Sequence, residues 1–225
     1  MKRTDLSGLL LVNKPSGMTS HDVVDFVRKK FEIKKVGHAG TLDPMATGLL
    51  IILIGKATKL SNRFSGMDKA YESRLTLGVK TDSADSMGKI IEERPVNVSE
   101  EDIRDVFSRF VGEIEQVPPM VSAIRHKGKR LYELARKGIT VERPKRKVKI
   151  YSLEIKNIDI PNIDFEVSCS KGTYIRTLCE DIGEALGCGG HQSRLHRTRI
   201  GDLTVEMARD LDDIDESAVQ QFYSW

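Results

Sequence analysis

The 225-residue chain contains no long apolar run that would suggest a membrane segment. Its longest purely aliphatic run is Leu49 to Ile54, far below the roughly 20 residues that a membrane-spanning helix needs. The N-terminal apolar stretch LLLV is also shorter than the core of a signal peptide, which takes about 7–15 residues. We therefore expect a soluble cytoplasmic protein that does not engage a membrane.

Cysteine is scarce, with three residues, Cys169, Cys179 and Cys188, and no C-x-x-C spacing. An odd count without that spacing favours small buried apolar side chains over disulfides or metal ligands. The histidines offer no zinc pattern either, because His191 and His196 lie five apart without an H-E-x-x-H motif. The sequence predicts no metal site.

Two phosphate- or cation-binding motifs are incomplete. The segment GKAT follows an apolar run, but Leu50 and Ala57 stand where a phosphate-binding loop needs Gly and Ser or Thr. The segment TDSADSMG resembles a calcium loop, yet Asp82 and Asp85 have the wrong spacing and no closing Glu follows. We therefore predict a solvated loop around Asp82 and Asp85.

Positive charge is concentrated in one part of the chain. The net charge is only +3, but the basic segment from Arg125 to Lys149 holds eleven Lys and Arg residues against two Glu. Such segregation is typical of a surface that binds a polyanion, and it favours a nucleic acid. An exposed charged face without a ligand is the alternative.

Strand and helix patterns are mixed without a βαβ repeat. Apolar or alternating runs predict strands at 9–12, 49–54 and 69–79, and a hairpin at 148–169 with a bulge near Tyr151 to Leu153. Amphipathic spacing predicts helices after Thr19 or Ser20, after Ser99, around Tyr132 and after Gly172. The acidic segment EMARDLDDIDE is predicted to be an exposed helix or tail. The mixture indicates an α+β fold with a mixed, mostly antiparallel sheet flanked by helices.

One glycine-rich turn, VGHAGTLDPMATGLL, carries a single carboxylate, Asp43. Pro44 pushes Asp43 toward an extended conformation, while Gly37, Gly40 and Gly48 permit tight backbone turns. The pattern predicts a fixed carboxylate on a surface bend. It also fits a turn aspartate that bonds only its own backbone.

Arg176 occupies an unfavourable place for a cation. It lies in the first turn of the predicted helix TYIRTLCEDIG, where the helix dipole opposes positive charge. A negative partner is expected, either a carboxylate such as Asp43 or a phosphate. A surface arginine near an unrelated Glu is the alternative.

Five separated segments make the chain recognisable: LLLVNKPSGMTS, VGHAGTLDPMATGLL, DKAYES, VPPMVSAIRHKGKRLYELARKG and SKGTYIRTLCEDIGEALGCGGH. In order and spacing they resemble the TruB-type tRNA pseudouridine synthases, from about Gly8 to about Arg209. The resemblance implies the pseudouridine synthase catalytic fold and conversion of the T-arm uridine at tRNA position 55 to pseudouridine. It also implies a reaction without a cofactor, tRNA as the partner, and no obligatory protein partner.

The resemblance assigns roles to individual residues. The essential carboxylate is Asp43, the tyrosine that stacks on the flipped base and is proposed to take its C5 proton is Tyr71, and the arginine that pairs with the carboxylate is Arg176. An adjacent arginine favours the ionised form of an aspartate. Substrate-binding roles fall on His38, Tyr174, Leu195, Lys14, Lys127, Lys129 and Arg130.

The same resemblance predicts the domain organisation. We expect a single catalytic domain over residues 1–225, a basic thumb insertion at about 120–148, and no C-terminal PUA domain within the chain. The thumb disfavours the guide-RNA-dependent relatives, which lack it. A subunit that depends on guide RNA or protein partners stays an alternative, as does a non-catalytic tRNA-binding folding helper.

Overall fold

The structure, a computed structural model, describes residues 6–122, 124–126, 128–135 and 137–220, without the side chains of residues 125, 126, 130 and 132. The α-helices in this part are α1 (Ser20–Lys30), α2 (Ser61–Ser65), α3 (Glu100–Arg109), α4 (Leu131–Ala135) and α5 (Ile175–Ala185). The strands are β1 (Gly8–Lys14), β2 (Val36–Ala39), β3 (Thr47–Ile54), β4 (Lys69–Leu77), β5 (Val79–Thr81), β6 (Ile90–Glu93), β7 (Gly112–Gln116), β8 (Arg125–His126), β9 (Lys129–Arg130), β10 (Arg146–Asp159), β11 (Asn162–Cys169), β12 (Gly190–Ile200), β13 (Leu203–Thr204) and β14 (Arg209–Asp210). Short 3₁₀ helices cover Gly55–Leu60, Val205–Met207, Leu211–Asp213 and Glu216–Ala218.

Two helices begin at reciprocal side-chain caps. The Thr19 hydroxyl accepts from the Asp22 N–H at 3.1 Å, and the Asp22 carboxylate accepts from the Thr19 N–H at 2.7 Å. Ser99 and Asp102 repeat this capping box at the start of α3. Both caps satisfy backbone donors that have no partner inside a helix, which confirms the predicted starts of α1 and α3.

The chain divides into two compact units. The first holds the described residues up to Glu72 and from Leu195 onward, and the second is Ser73–Arg194. The boundaries fall inside β4 and β12, so each of these strands contributes residues to both units. The prediction of a single catalytic domain with a thumb insertion stays a prediction.

Strand β3 forms the centre of the first unit. It runs antiparallel to β1, from Gly8 opposite Ile54 to Lys14 opposite Gly48. Its other edge pairs with β2 near its end and with β12, in parallel, at its start. Because side chains on both faces of β3 pack inside the unit, all six residues of the aliphatic run are fully buried.

The second unit is built on the hairpin of β10 and β11. Strand β7 pairs antiparallel with β10, and the register shift between Ile150 and Ser152 confirms the predicted bulge. Helix α3 packs against the sheet through Phe107, whose ring meets Phe165 edge-on at 5.6 Å. Antiparallel pairs predominate in both units and parallel pairs are few, which confirms the predicted α+β class.

The prediction for the acidic C-terminal segment is wrong. Residues 209–210 form β14, which pairs in parallel with β1, and short 3₁₀ helices follow. Leu211, Ile214 and Val219 are buried, and the Leu9 N–H donates to the Gln220 carbonyl at 3.0 Å. Leu211 and Ile214, which lie between the acids, therefore anchor this segment within the first unit, and Val219 adds a further buried contact just beyond it.

The cysteines behave as predicted, since Cys169, Cys179 and Cys188 are buried free thiols. Among the described residues, no group of three or more His, Cys, Asp or Glu side chains is arranged to hold a metal ion. None of the helices in the described ranges has the length and apolarity needed to cross a membrane.

Candidate active site

The loop between β2 and β3, here called the Asp43 loop (residues 40–46), is held at every carbonyl from Gly40 to Met45. The donors and distances are Arg197 to Gly40 and Thr41 (3.0 and 3.4 Å), Ser20 to Leu42 (3.1 Å), Ala46 to Asp43 (3.1 Å), Gly17 and Lys14 to Pro44 (2.8 and 3.2 Å), and Ser16 to Met45 (3.2 Å). Each bond fixes the orientation of one peptide plane. The backbone that carries Asp43 is therefore constrained along its whole length.

Glycine is required at two positions around this loop. Gly40 and Gly48 adopt φ values of +80° and +98°, a region that side chains disfavour. A Cβ on Gly48 would also lie 2.4 Å from the Arg197 carbonyl oxygen. The glycine allows β12 to approach β3 closely enough to pair with it beside the Asp43 loop.

Lys14 joins this loop to the turn after β1. Its buried ammonium donates to the carbonyls of Pro15 at 2.7 Å, Met18 at 2.6 Å and Pro44 at 3.2 Å. Burial lowers the pKa of Lys14 to about 8, and the nearby Asp43 carboxylate partly opposes that change. The contacts give Lys14 a structural role and an electrostatic interaction with the candidate carboxylate.

Arg197 is a site residue that the sequence patterns did not reveal. Its side chain is 1% exposed, and its Nε donates to the Leu49 carbonyl at 2.8 Å in addition to the two loop carbonyls. Burial lowers the pKa of Arg197, while the Tyr71 phenol, by charge and by a hydrogen bond, and the Asp43 carboxylate counteract that change. Arg197 thus connects β3, the Asp43 loop and Tyr71.

Tyr71 lies on β4 in the predicted alternating phase and is 9% exposed. Two residues earlier on the same face, Lys69 is buried and donates to the Ser65 carbonyl at 2.7 Å and to the Met67 carbonyl. Electrostatic interactions also join the charged residues of this region: Arg197 interacts with Tyr71 and Asp43, and Lys14 interacts with Asp43 and Arg197.

The other two predicted residues of the first unit lie on neighbouring strands. His38 is half-buried on β2, opposite Ile52 of β3. Leu195 is buried on β12, and its carbonyl accepts from the Thr47 hydroxyl at 3.5 Å. That hydroxyl also lies 2.8 Å from His196 Nδ1. These contacts secure the start of β3 beside the Asp43 loop.

In the second unit, Arg176 is the second residue of α5 and is 5% exposed. It donates to the Asp85 carboxylate at 3.4 Å, the Ser83 carbonyl at 3.3 Å and the Val121 carbonyl at 2.8 Å. The prediction of a solvated loop at Asp85 is wrong, because Asp85 is 5% exposed and also accepts from the Ser83 hydroxyl at 2.6 Å. A cation at a helix N-terminus needs a negative partner, and Asp85 supplies one; pairing with Asp43 stays a prediction.

Tyr174 precedes α5 and is fixed by its backbone. Its N–H donates to the Gln116 side-chain oxygen at 3.0 Å, and its carbonyl accepts from the Gln116 amide at 3.2 Å. Gln116 is buried at the end of β7 and was not predicted. A two-bond clamp of this kind orients the chain that carries Tyr174 and Arg176.

The basic segment is only partly described. Lys129 is exposed on β9, which pairs antiparallel with β8, and α4 follows where a short helix around Tyr132 was predicted. Lys127 and Arg136 lie outside the described residues, and so does the side chain of Arg130.

Comparison with known proteins defines the class. The structure is similar to a solved Cbf5-Nop10-Gar1 complex, with a TM-score of 0.74 and 31% identity over 95% of this chain and 59% of that one. It is also similar to an H/ACA RNP bound to a substrate RNA containing 2′-deoxyuridine, with a TM-score of 0.68 and 31% identity, covering 92% of this chain and 51% of that chain. Residues 28–175 match the TruB family pseudouridylate synthase N-terminal domain, which places the chain among the pseudouridylate synthases.

The chain belongs to the TruB family. Residues 176–222 match the tRNA pseudouridylate synthase B C-terminal domain. A protein of Ralstonia pickettii named tRNA pseudouridine synthase B is 50% identical over 220 residues, which cover 96% of this chain and 69% of the relative. A protein of the same name from Alkaliphilus oremlandii is 52% identical over 209 residues, covering 93% and 70%.

Proposed function

We propose that this protein converts the T-arm uridine at position 55 of tRNA to pseudouridine, with Asp43 as the essential carboxylate. The observation that carries the proposal is the Asp43 loop, in which every carbonyl from Gly40 to Met45 is hydrogen-bonded and the carboxylate interacts with two buried cations, Lys14 and Arg197. Such fixed geometry lowers the reorganisation that a reaction requires. The relatives named tRNA pseudouridine synthase B support the choice of substrate.

The proposed reaction is an isomerisation. The bond between the sugar C1′ and uracil N1 breaks, a bond between C1′ and C5 forms, and the net result moves one proton from C5 to N1. Atoms and electrons balance within the nucleotide, so the reaction requires no co-substrate. An ionised Asp43 can attack the sugar, add to the ring or remove a sugar proton, and each route uses the same fixed carboxylate.

The uridine must leave the folded T arm to reach Asp43. Enzymes that act on bases extrude them and hold them by stacking and by edge hydrogen bonds. We assign stacking to Tyr71, contact with the extruded nucleotide to His38, Tyr174 and Leu195, and charge stabilisation to Arg176. The basic segment, with the exposed Lys129, would contact phosphates, which fixes the position of the RNA without reading its sequence. We place this reaction in the cytoplasm, where tRNA is found.

The test uses purified protein and an unmodified tRNA transcript labelled with tritium at uridine C5, with no other RNA or protein present. Tritium release and mapping should show pseudouridine at position 55, and a transcript with cytidine there should release none. Asp43→Asn should abolish turnover while tRNA affinity stays within about threefold. The matched control Asp25→Asn removes an exposed carboxylate from α1 and should behave as wild type.

Three results would contradict the proposal. Residual turnover above a few per cent in Asp43→Asn would move the chemistry to another residue. Activity that appears only after a guide RNA or a partner protein is added would favour the partner-dependent alternative. Tight tRNA binding without any product would favour the folding-helper alternative.

A further inference from the structure

Helix α5 begins without the local cap that fixes the starts of α1 and α3. Those two helices begin after Thr19 and Ser99, whose hydroxyls accept from the helix backbone. Tyr174 stands at the corresponding position of α5, and its side chain makes no capping hydrogen bond. Loss of such a cap destabilises a helix, so helix stability does not explain a tyrosine at this position. A residue that departs from a local rule in this way is expected where a function requires it.

Gln116 supplies the missing constraint from a distant strand. Tyr174 is extended, with φ −103° and ψ 110°, so its N–H and its carbonyl point to the same side of the chain. The N–H donates to Gln116 Oε1 at 3.0 Å, and the carbonyl accepts from Gln116 Nε2 at 3.2 Å. A backbone N–H can only donate and a carbonyl can only accept, so the two bonds fix the orientation of the amide. Gln116 is 2% exposed and holds Tyr174 as a neighbouring strand would.

Gln116 also lies where the basic segment leaves the sheet. It is the last residue of β7 and pairs with Arg146, the first residue of β10. The chain between these two strand ends contains most of the basic segment. Before the basic segment begins, the Val121 carbonyl accepts from Arg176 at 2.8 Å. The start of α5 is therefore bonded twice, at Tyr174 and at Arg176, to the chain that leads into the basic segment.

We propose that Gln116 is a positioning residue that sets where Tyr174 meets the extruded nucleotide, relative to the basic segment that contacts the RNA backbone. The inference rests on the proposed function, which assigns those two contacts to Tyr174 and to the basic segment. Phosphate contacts fix the position of an RNA, and the nucleotide must meet Tyr174 within that frame. Gln116 connects the two through hydrogen bonds to the Tyr174 backbone.

The first test measures the two bonds without any turnover. The chain has five tyrosines, so labelling with ¹⁵N-tyrosine gives a simple amide spectrum by NMR, in which the Tyr174 signal is identified by its loss in Tyr174→Phe. Gln116→Met keeps the length of the side chain and removes both bonds. The Tyr174 amide should then exchange with solvent about tenfold faster or more. An unchanged exchange rate would refute the proposal.

The matched control is Gln192→Met. Gln192 is the other glutamine of the second unit and is fully buried, and its amide atoms have no hydrogen-bond partner among the described residues. The same chemical change there should leave the Tyr174 exchange rate within about twofold of wild type. If Gln116→Met does not fold, Gln116→Asn takes its place and the same outcomes apply, because its shorter side chain cannot reach both groups of Tyr174.

The second test separates positioning from binding and from stability. In Gln116→Met the tRNA affinity should stay within about threefold, because the phosphate contacts remain. The single-turnover rate should fall about 100-fold, as for a group displaced by about 1 Å, whereas Gln192→Met should lose less than about twofold. A normal rate in a Gln116 variant whose Tyr174 amide exchanges faster would show that the two bonds serve only stability, and it would refute the proposal.

A double mutant completes the experiment. In the Tyr174→Ala background, Gln116→Met should reduce the rate less than about tenfold, because the effect through the Tyr174 side chain is already absent. Fully additive losses would refute a role through Tyr174. An inactive wild type in which Gln116→Met still speeds exchange at the Tyr174 amide would refute the proposed function and support the bonds between Gln116 and Tyr174.

Discussion

Replacing Lys14 by Met should change how stability depends on pH. Lys14 is enclosed, and its ammonium donates to the carbonyls of Pro15, Met18 and Pro44. Methionine has a similar length but no charge and no donor. The comparison between wild type and Lys14→Met therefore reports on a single titrating group and on the bonds it makes.

The magnitude follows from the lowered pKa of Lys14, about 8 in the folded protein against 10.5 in an unfolded chain. Between these values the unfolded chain binds more protons than the folded one, so the free energy of unfolding rises with pH through this window. Below pH 8 the charged ammonium reduces stability by about 3 kcal/mol relative to its neutral form. Between pH 7 and pH 9.5 the free energy of unfolding of wild type should rise by about 2 kcal/mol relative to that of Lys14→Met.

The assay is chemical denaturation followed by circular dichroism at pH 7 and pH 9.5. Burial raises the pKa of the Cys179 and Cys188 thiols, which makes folding less favourable as pH rises, but this effect is common to both proteins and cancels in the difference. Lys29→Met removes an exposed lysine from α1 and should show no pH-dependent difference. The reasoning would be refuted if the difference in free energy of unfolding between wild type and Lys14→Met were the same at the two pH values.

Three further predictions concern the proposed reaction. Tyr71→Phe should bind tRNA normally but turn over far more slowly, whereas Tyr71→Leu should also lose about 1–3 kcal/mol of binding free energy. Normal turnover in the Phe variant would show that Tyr71 only stacks on the base and does not take the proton. Replacing Lys129 and Arg130 together by Ala should weaken tRNA binding and flatten its salt dependence, measured by filter binding, without changing the modified position. If the affinity still fell with salt concentration as steeply as in wild type, the basic segment would be an exposed charged face without a ligand. Asp85→Asn should lower the free energy of unfolding by about 3–5 kcal/mol, since Arg176 would keep a buried charge with a weaker partner; a loss below about 1 kcal/mol in denaturation would contradict this.

Local features of the fold were predictable because their causes are local. A hydroxyl and a carboxylate three residues apart define the capping boxes at Thr19 and Ser99, and those residues start the helices in the structure. The alternation around Tyr71 likewise gave the buried face of β4. The Asp43 loop was recognisable from its glycines and proline, although its hydrogen-bond partners were not.

The missed features depend on partners far apart in sequence. Asp85 looked like part of a polar loop, and only the folded second unit brings Arg176 to it across 91 residues. Arg197 follows the buried Leu195 by two positions, so it shares the inward phase of β12. That phase was the available signal, but a charged residue at an inward position is normally interpreted as a strand end or an exposed face.

Arg197 and the residues it contacts are far apart in sequence, and this separation sets the order in which the first unit can assemble during synthesis. The Leu49 carbonyl leaves the ribosome 148 residues before the guanidinium that will bind it. At translation rates of about 5–20 residues per second, this delay lasts roughly 7–30 s. The whole of Ser73–Arg194 is synthesised in the interval, so the second unit has all of its residues before the first one does. A nascent chain should therefore acquire its native Asp43 loop only after codon 197 has been translated, and a message truncated before that codon should yield a chain whose loop lacks its internal support.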